Sequence, residues 1–341
     1  MDNEGLWGDQ TDDQFIEELI KMGLNGVSKL QNENKKINFR AKLIPGFRYE
    51  KSLLKKIEEI DPSILVGYHW DALAMISKSD YSLTKIGFVG DPLDGPFSLR
   101  SKFNKRFHVK NSFLSNLKSL FIIYFLRRYM RSILNSMDLS FAFAAHHAEE
   151  LSVLSKKKCR YIQTPMPLEK SSKTKSIKNT KTFSILLLGH MFGIATRLGM
   201  EYFIHDIYPE LKRLFSSEEN FSINIVGDGK DSLPRELISE FDKKEIKFLG
   251  PIEDLDSIID ESHILLVPIP VDLGIRVRIL TSFSKKLPVV CHYSNSKGIP
   301  ELKDGLNCLM SNDAKNLAEK CYFAFKNPEN MQEIEKNAFD L

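Results

Sequence analysis

The sequence predicts an α/β protein of two domains, each a parallel sheet covered by helices. Three observations predict it. Apolar runs of strand length alternate with helix-length amphipathic segments in both halves. In the carboxyl half, apolar runs end at Gly189, Gly227 and Gly250, as strands do when they lead into ligand-binding turns. The lysine-rich stretch 169–181, EKSSKTKSIKNTK, has no periodic apolar face and reads as a linker. The expected domains are therefore 1–168 and 182–341.

Composition fits this reading. At 341 residues, each of two domains can bury its own core. Apolar content of 42% and charged content of 27% are those of an ordinary globular protein, and a net charge of +3 does not argue for nucleic acid. Cys159, Cys291, Cys308 and Cys321 are scattered without CxxC spacing, which suggests buried thiols in a reducing compartment. The acidic opening Met1-Asp2-Asn3-Glu4 does not read as a secretory signal. The longest apolar run, Leu120 to Leu126, is far shorter than the ~20 residues of a membrane span. A cytoplasmic protein is expected.

The amino half offers strands at Ile37–Leu43, Ile64–Tyr68, Lys85–Val89, Leu139–Phe143 and Arg160–Ile162. Its helix candidates are Asp13–Met22, Ser52–Ile60 and Asn116–Asn135. In the carboxyl half, strands are expected at Phe183–Leu188, Phe221–Val226, Ile246–Leu249, Ile264–Val267 and Pro288–Cys291. Helices are expected at Met200–Phe215, near Leu255–Ile259, from Arg276, and near Ala314–Phe325.

The stretch Ile264 to Met310 is the most telling. The run Ile264-Leu265-Leu266-Val267 is stopped by Pro268 and Pro270, and the turn Gly274-Ile275-Arg276-Val277-Arg278 then opens a helix. Backbone N–H groups and two guanidinium groups converge there, as an anion site requires. A phosphate-bearing ligand is the functional reading, and a solvated basic turn is the plain one.

Four segments together suggest a family: ILLLGHMFGIATRLG, INIVGDG, IKFLGPIEDLDSIIDESHILLVPIPVDLGIRVRIL and SFSKKLPVVCHYSNSKGIPELKDGLNCLM. In this order they resemble the nucleotide-sugar-binding domain of retaining glycosyltransferases of the two-domain GT-B fold, group 1 or family 4-like, over about residues 183–338. The resemblance implies two Rossmann-like domains and a nucleotide-diphosphate sugar as donor. The acceptor it implies is a carbohydrate or a lipid-linked molecule, with neither cofactor nor metal. It implies catalytic roles for Asp272, Arg278 and Arg197. Gly189, Gly227, Gly250, Ile252, Gly274, Arg276 and Thr281 would hold the donor, and His69 and Asp91 would face the acceptor. Arg197 is expected on the loop after the first strand of this domain.

The chain departs from the family pattern in three places. Thr281 stands where the family places a ribose-binding glutamate, and a threonine hydroxyl makes one neutral hydrogen bond instead of a charge-assisted pair. Asp272 is shorter than the expected upstream acid. Both ends look trimmed: the strand before Gly5 is expected to be missing, and so is the final crossover helix. A catalytically impaired nucleotide-sugar-binding homologue is therefore the alternative to an enzyme. A sugar-phosphate isomerase or epimerase on a similar fold is a third reading.

Other features have plain readings beside functional ones. His69 and Asp91 follow strands, but Asp71 could cap a helix and Asp91 could open a turn. His146 and His147 are adjacent and point apart, with no third ligand spaced nearby, so a metal site is not expected. Residues 97–131 interleave basic with aromatic side chains. They could touch an anionic membrane surface peripherally, or form a helix that packs one face and solvates the other.

Overall fold

The computed structural model describes residues 50–79, 82–99, 113–166, 182–215, 220–244 and 246–341. The chain divides into two compact units, Met1–Ile86 and Gly87–Leu341. The expected linker 169–181, the glycine turn at Gly5, the missing first strand, the strand 37–43 and the helix 13–22 lie outside the described residues.

In the first unit, helix α1 (Glu50–Ile60) leads to strand β1 (Ile64–Tyr68) and helix α2 (His69–Ile76). Trp70, Leu73, Ala74 and Ile76 bury one face of α2. Strand β2 (Thr84–Val89) begins in this unit, where the fully buried Lys85 donates from Nζ to the Ser79 carbonyl at 3.0 Å.

The second unit continues with helix α3 (Phe113–Asn135), β3 (Leu139–Ala142), α4 (Ala145–Ser155) and β4 (Cys159–Tyr161). The first sheet has the order β1-β2-β3-β4, and β3 runs parallel to β4. Next come β5 (Thr182–Leu188), α5 (Ile194–Tyr202), a π-helical turn (Phe203–Ile207) and α6 (Tyr208–Leu214). They are followed by β6 (Asn220–Val226), α7 (Arg235–Lys243), β7 (Lys247–Gly250), α8 (Leu255–Glu261) and β8 (Ile264–Val267). Helix α9 (Val277–Ser284), β9 (Val289–His292), β10 (Leu309–Ser311), α10 (Ala314–Lys326) and α11 (Pro328–Phe339) complete the chain.

The second sheet has the order β10-β9-β8-β5-β6-β7, with every neighbouring pair parallel. Its strands are apolar almost throughout because both faces are covered. Phe183, Ile185 and Leu187 of β5 join Ile223, Ile225 and the helices α5, α6, α7 and α10 in one core. The alternate residues Leu186 and Leu188 join Leu265, Val267, Ile279 and Phe283 in a second core on the other face. The chain moves outward from β5 through β6 to β7, then returns to place β8 on the other side of β5. That reversal opens a crevice at the carboxyl ends of β5 and β8, the place where such sheets bind ligands.

Several helices differ from expectation. The helix expected from Met200 begins at Ile194, so Arg197 lies on a helix and not on a loop; its N–H donates to the Gly193 carbonyl at 3.0 Å. Gly199 sits inside this helix because Ile269 packs against it, and an added Cβ would lie 2.8 Å from Ile269 Cγ1. The helices α2, α4, α7 and α11 escaped the sequence reading. In α7 only Leu237 and Phe241 are buried, too thin a stripe to read as a periodic face. Helix α2 starts at His69, with Tyr68 at the cap position making no side-chain cap, so Asp71 is a first-turn acid instead of the capping residue.

Candidate functional site

The carboxyl ends of β5, β6 and β7 are tied together through glycines. Gly189 N–H donates to the Val226 carbonyl at 2.9 Å, Gly227 N–H to the Gly250 carbonyl at 2.9 Å, and Met191 N–H to the Asp228 carbonyl at 2.8 Å. Gly189 and Gly227 have φ of +148° and +142°, where side chains are strained, and the Gly227 Cα faces the Gly189 carbonyl directly. Three of the four glycines expected at the donor, Gly189, Gly227 and Gly250, therefore form one floor at the mouth of the crevice.

Arg278 lies over this floor. It sits in the first turn of α9, and its Nη1 donates to the carbonyl of Leu188, the last residue of β5. Its Nη2 donates to Thr196 Oγ1 at 3.4 Å. A Cβ added to Gly189 would lie 2.5 Å from the Arg278 Cζ, so the glycine leaves room for the guanidinium. Among the described residues no carboxylate pairs with Arg278. Burial, and then the charge of Arg276, push its pKa down to about 9, so it remains cationic at neutral pH. Arg197 is anchored to the same loop, with Nε donating to the Met191 carbonyl at 2.7 Å. The structure thus brings Arg197 and Arg278 to one segment, 188–196, which runs from the end of β5 to the first turn of α5.

Arg276 behaves differently from the expected phosphate ligand. Its Nη1 donates to the Leu273 carbonyl and its Nη2 to the Val271 carbonyl at 3.1 Å, so it clasps its own turn. Its Nε is buried without a partner among the described residues. Burial lowers its pKa to about 10, against the charges of Asp91 and Asp272.

A second group of residues packs on the other side of that turn. Gly274, at φ +69°, leaves no space for a Cβ because the Asp91 carboxylate lies against it, with Cγ 2.7 Å from the added atom. His147 is 3% exposed; its Nε2 accepts from Gly274 N–H at 3.4 Å, and its Nδ1 is 3.6 Å from Asp91 Oδ1. Asp272 is held by Lys297 at 2.7 Å, and this bond keeps its carboxyl below the usual range. The Asp272 backbone carbonyl lies 3.2 Å from His146 Nε2, and Ala145 N–H donates to the Gly298 carbonyl at 3.1 Å. Asp91, expected on the acceptor side, therefore buttresses the arginine-bearing turn.

Sequence reasoning weighed His146 and His147 only as metal ligands, and it passed over Lys297. The available signal was position: His146 and His147 open a helix just after the strand Leu139–Ala142. Thr281 stands one turn beyond Arg278 on α9, with its hydroxyl donating to the Val277 carbonyl at 3.1 Å. The Ile252 side chain packs against the second core. His69 opens α2 in the first unit at φ +64°, edge-on to the Tyr68 ring at 4.4 Å. Among the described residues no group of three or more His, Cys, Asp or Glu is placed to hold a metal ion.

Comparison with known proteins points the same way. The sequence model described as Glycosyl transferases group 1 matches residues 182–327. No curated protein matches the chain. The fold is similar to that of Anabaena HepE in complex with UDP-glucose, at 12% identity and a TM-score of 0.65, covering 95% of this chain and 83% of that one. It is similar to sucrose-phosphate synthase from Thermosynechococcus elongatus, at 12% identity and a TM-score of 0.64, covering 92% and 77%. It is also similar to S. aureus TarM, at 13% identity and a TM-score of 0.60. That alignment covers 86% of this chain, which spans only 54% of TarM. With its two parallel sheets, its switch-point crevice and its arginine-bearing turn, the chain has the GT-B fold, and its residues 182–327 match the family model of the glycosyl transferases group 1.

Proposed function

We propose that the protein transfers a sugar from a nucleotide-diphosphate sugar to a carbohydrate or lipid-linked acceptor. The observation that carries this reading is Arg278: a cation with no carboxylate partner among the described residues, at a helix start, over the glycine floor of the crevice. Burial has made that charge costly, and a bound diphosphate would offset the cost. As the bond between the sugar and the diphosphate breaks, negative charge passes to the leaving phosphate, and Arg278 and Arg197 are the groups anchored beside it. The acceptor oxygen forms the new bond to the sugar, and its proton passes to the leaving phosphate. Retention of configuration and charge neutralisation by arginine without a metal belong to the same reading, as does a domain boundary at 169–181. HepE, solved with UDP-glucose, supports a uridine nucleotide as the first donor to try.

Thr281 favours a second reading, a homologue that binds donor without transferring sugar. Its hydroxyl is committed to its own helix, so it offers the ribose less than a glutamate would. A thermal-shift panel of UDP-, GDP-, ADP- and dTDP-sugars, followed by a sugar-hydrolysis assay, separates the two. Stabilisation together with hydrolysis supports the transferase, and stabilisation alone supports the binding homologue. Arg278→Ala is expected to weaken binding of the stabilising nucleotide by about 1.5–3 kcal/mol, the range for a hydrogen bond to a charged group. Arg276→Ala should weaken it less, since Arg276 acts on its own turn. Unchanged affinity in the Arg278 variant would remove the basis of both readings.

A further inference from the structure

Helix α3 has an unusual outer face. Its inner face buries Leu126, Met130, Ile133 and Leu134, each at most 3% exposed. An amphipathic helix should then present polar residues outward. Instead Leu117, Leu120, Phe121 and Tyr124 are 47%, 63%, 64% and 61% exposed. Their spacing of i, i+3, i+4 and i+7 places them in one stripe. Arg128 and Arg131, both exposed, continue the stripe at i+11 and i+14, and the exposed Lys118 flanks it. Among the described residues no carboxylate pairs with these three cations, whereas Arg127, off the stripe, is held by Asp94 at 2.7 Å and Glu150 at 3.2 Å. Between Asp94 and Asp138 the sequence carries nine lysines and arginines and no acidic residue, while the whole chain is only +3.

We propose that this face of α3 docks on an anionic lipid surface, with Leu117, Leu120, Phe121 and Tyr124 entering the headgroup boundary and Arg128 and Arg131 resting on lipid phosphates. Each half of the face matches one layer of such a surface. The apolar half has a receiving layer in the acyl boundary, and the basic half has one in the phosphates. A second copy of the chain fits less well, because pairing α3 with itself would bring together like charges that no acidic residue offsets. Nucleic acid supplies phosphates but nothing to cover Leu117 and Leu120. No helix among the described residues is long and apolar enough to cross a membrane, so the contact is peripheral. The proposal does not depend on the donor site.

The test is co-sedimentation of the full chain with vesicles of phosphatidylcholine alone and of phosphatidylcholine mixed with phosphatidylglycerol. Binding to the mixed vesicles, weak binding to the neutral ones, and release by added salt are expected. Arg128→Ala with Arg131→Ala should lower the partition coefficient about twenty-five-fold, at about fivefold per charge. Leu120→Asn with Phe121→Asn should abolish it. All four positions are exposed, and thermal stability equal to the parent confirms that each variant folds. The idea is overturned if the parent leaves both vesicle types unbound, binds both equally, or is bound no more tightly than the variants. It is equally overturned if the stripe variants instead dissolve a dimer in sedimentation velocity, or abolish a gel shift of single-stranded RNA while the parent ignores vesicles.

Discussion

Gly227→Ala is expected to destabilise the protein by about 2–6 kcal/mol, measured as urea unfolding free energy. Two costs combine. At φ +142° a residue with a side chain occupies a conformation that costs roughly 1–3 kcal/mol. The added Cβ would also fall on the Gly189 carbonyl, 2.6 Å from its carbon, and the obstacle is backbone fixed by the Gly189-to-Val226 bond. Moving it costs about another 1–3 kcal/mol of the kind overpacking costs. Gly189→Ala offers a useful contrast. Its Cβ would meet the end of the Arg278 side chain, which can swing away. That variant should keep more of its stability while losing nucleotide affinity, because Arg278 would leave its place over the strand ends. If Gly227→Ala unfolds at the parent's urea concentration, the strand ends are looser than these contacts require.

The same strand ends show what was legible beforehand. Leu186-Leu187-Leu188-Gly189 and Ile225-Val226-Gly227 are read easily, because a buried parallel strand has to be apolar and its turn has to accept positive φ. The turn Gly274 to Arg278 was legible as a helix-opening glycine turn for the same local reason, since Gly274 takes φ +69° just before α9. Where each guanidinium is anchored was not. Arg276 and Arg278 are two residues apart, and their opposite uses depend on where β5 and the carbonyls of Val271 and Leu273 lie in space. His147 was hidden for a further reason. It lies 127 residues from the Gly274 amide that it accepts from, and no local pattern records that partnership. Helix α3 was legible as a helix, but the exposure of its apolar stripe is a fact of packing. The periodicity alone would have assigned Leu117, Leu120, Phe121 and Tyr124 to a core.

His147 is expected to make stability fall steeply in mild acid. Burial is the main reason its pKa lies at about 3 rather than 6.5; the charges of His146 and Arg276 push the same way, and Asp272 opposes them. The Asp91 carboxylate, 3.6 Å from Nδ1, also favours the charged ring, but it is 57% exposed, so water screens it and burial prevails. The neutral ring fits its surroundings, since Nε2 must carry a lone pair to accept from the Gly274 N–H. Below pH 6.5 the unfolded chain takes up a proton at this histidine and the folded chain does not. Stability therefore holds above pH 6.5 and is lost as pH falls towards 3, at about 1.4 kcal/mol per pH unit and at most about 5 kcal/mol in all. Carboxylates contribute their own acid loss, so the variant to compare is His147→Gln. Glutamine keeps an acceptor for Gly274 and a donor towards Asp91 but does not titrate. Urea unfolding of both proteins between about pH 7 and about pH 4 should give a shallower decline for the glutamine variant. Parallel curves would mean that the ring charges freely in the folded protein, and that the turn carrying Arg276 and Arg278 does not rest on a neutral histidine.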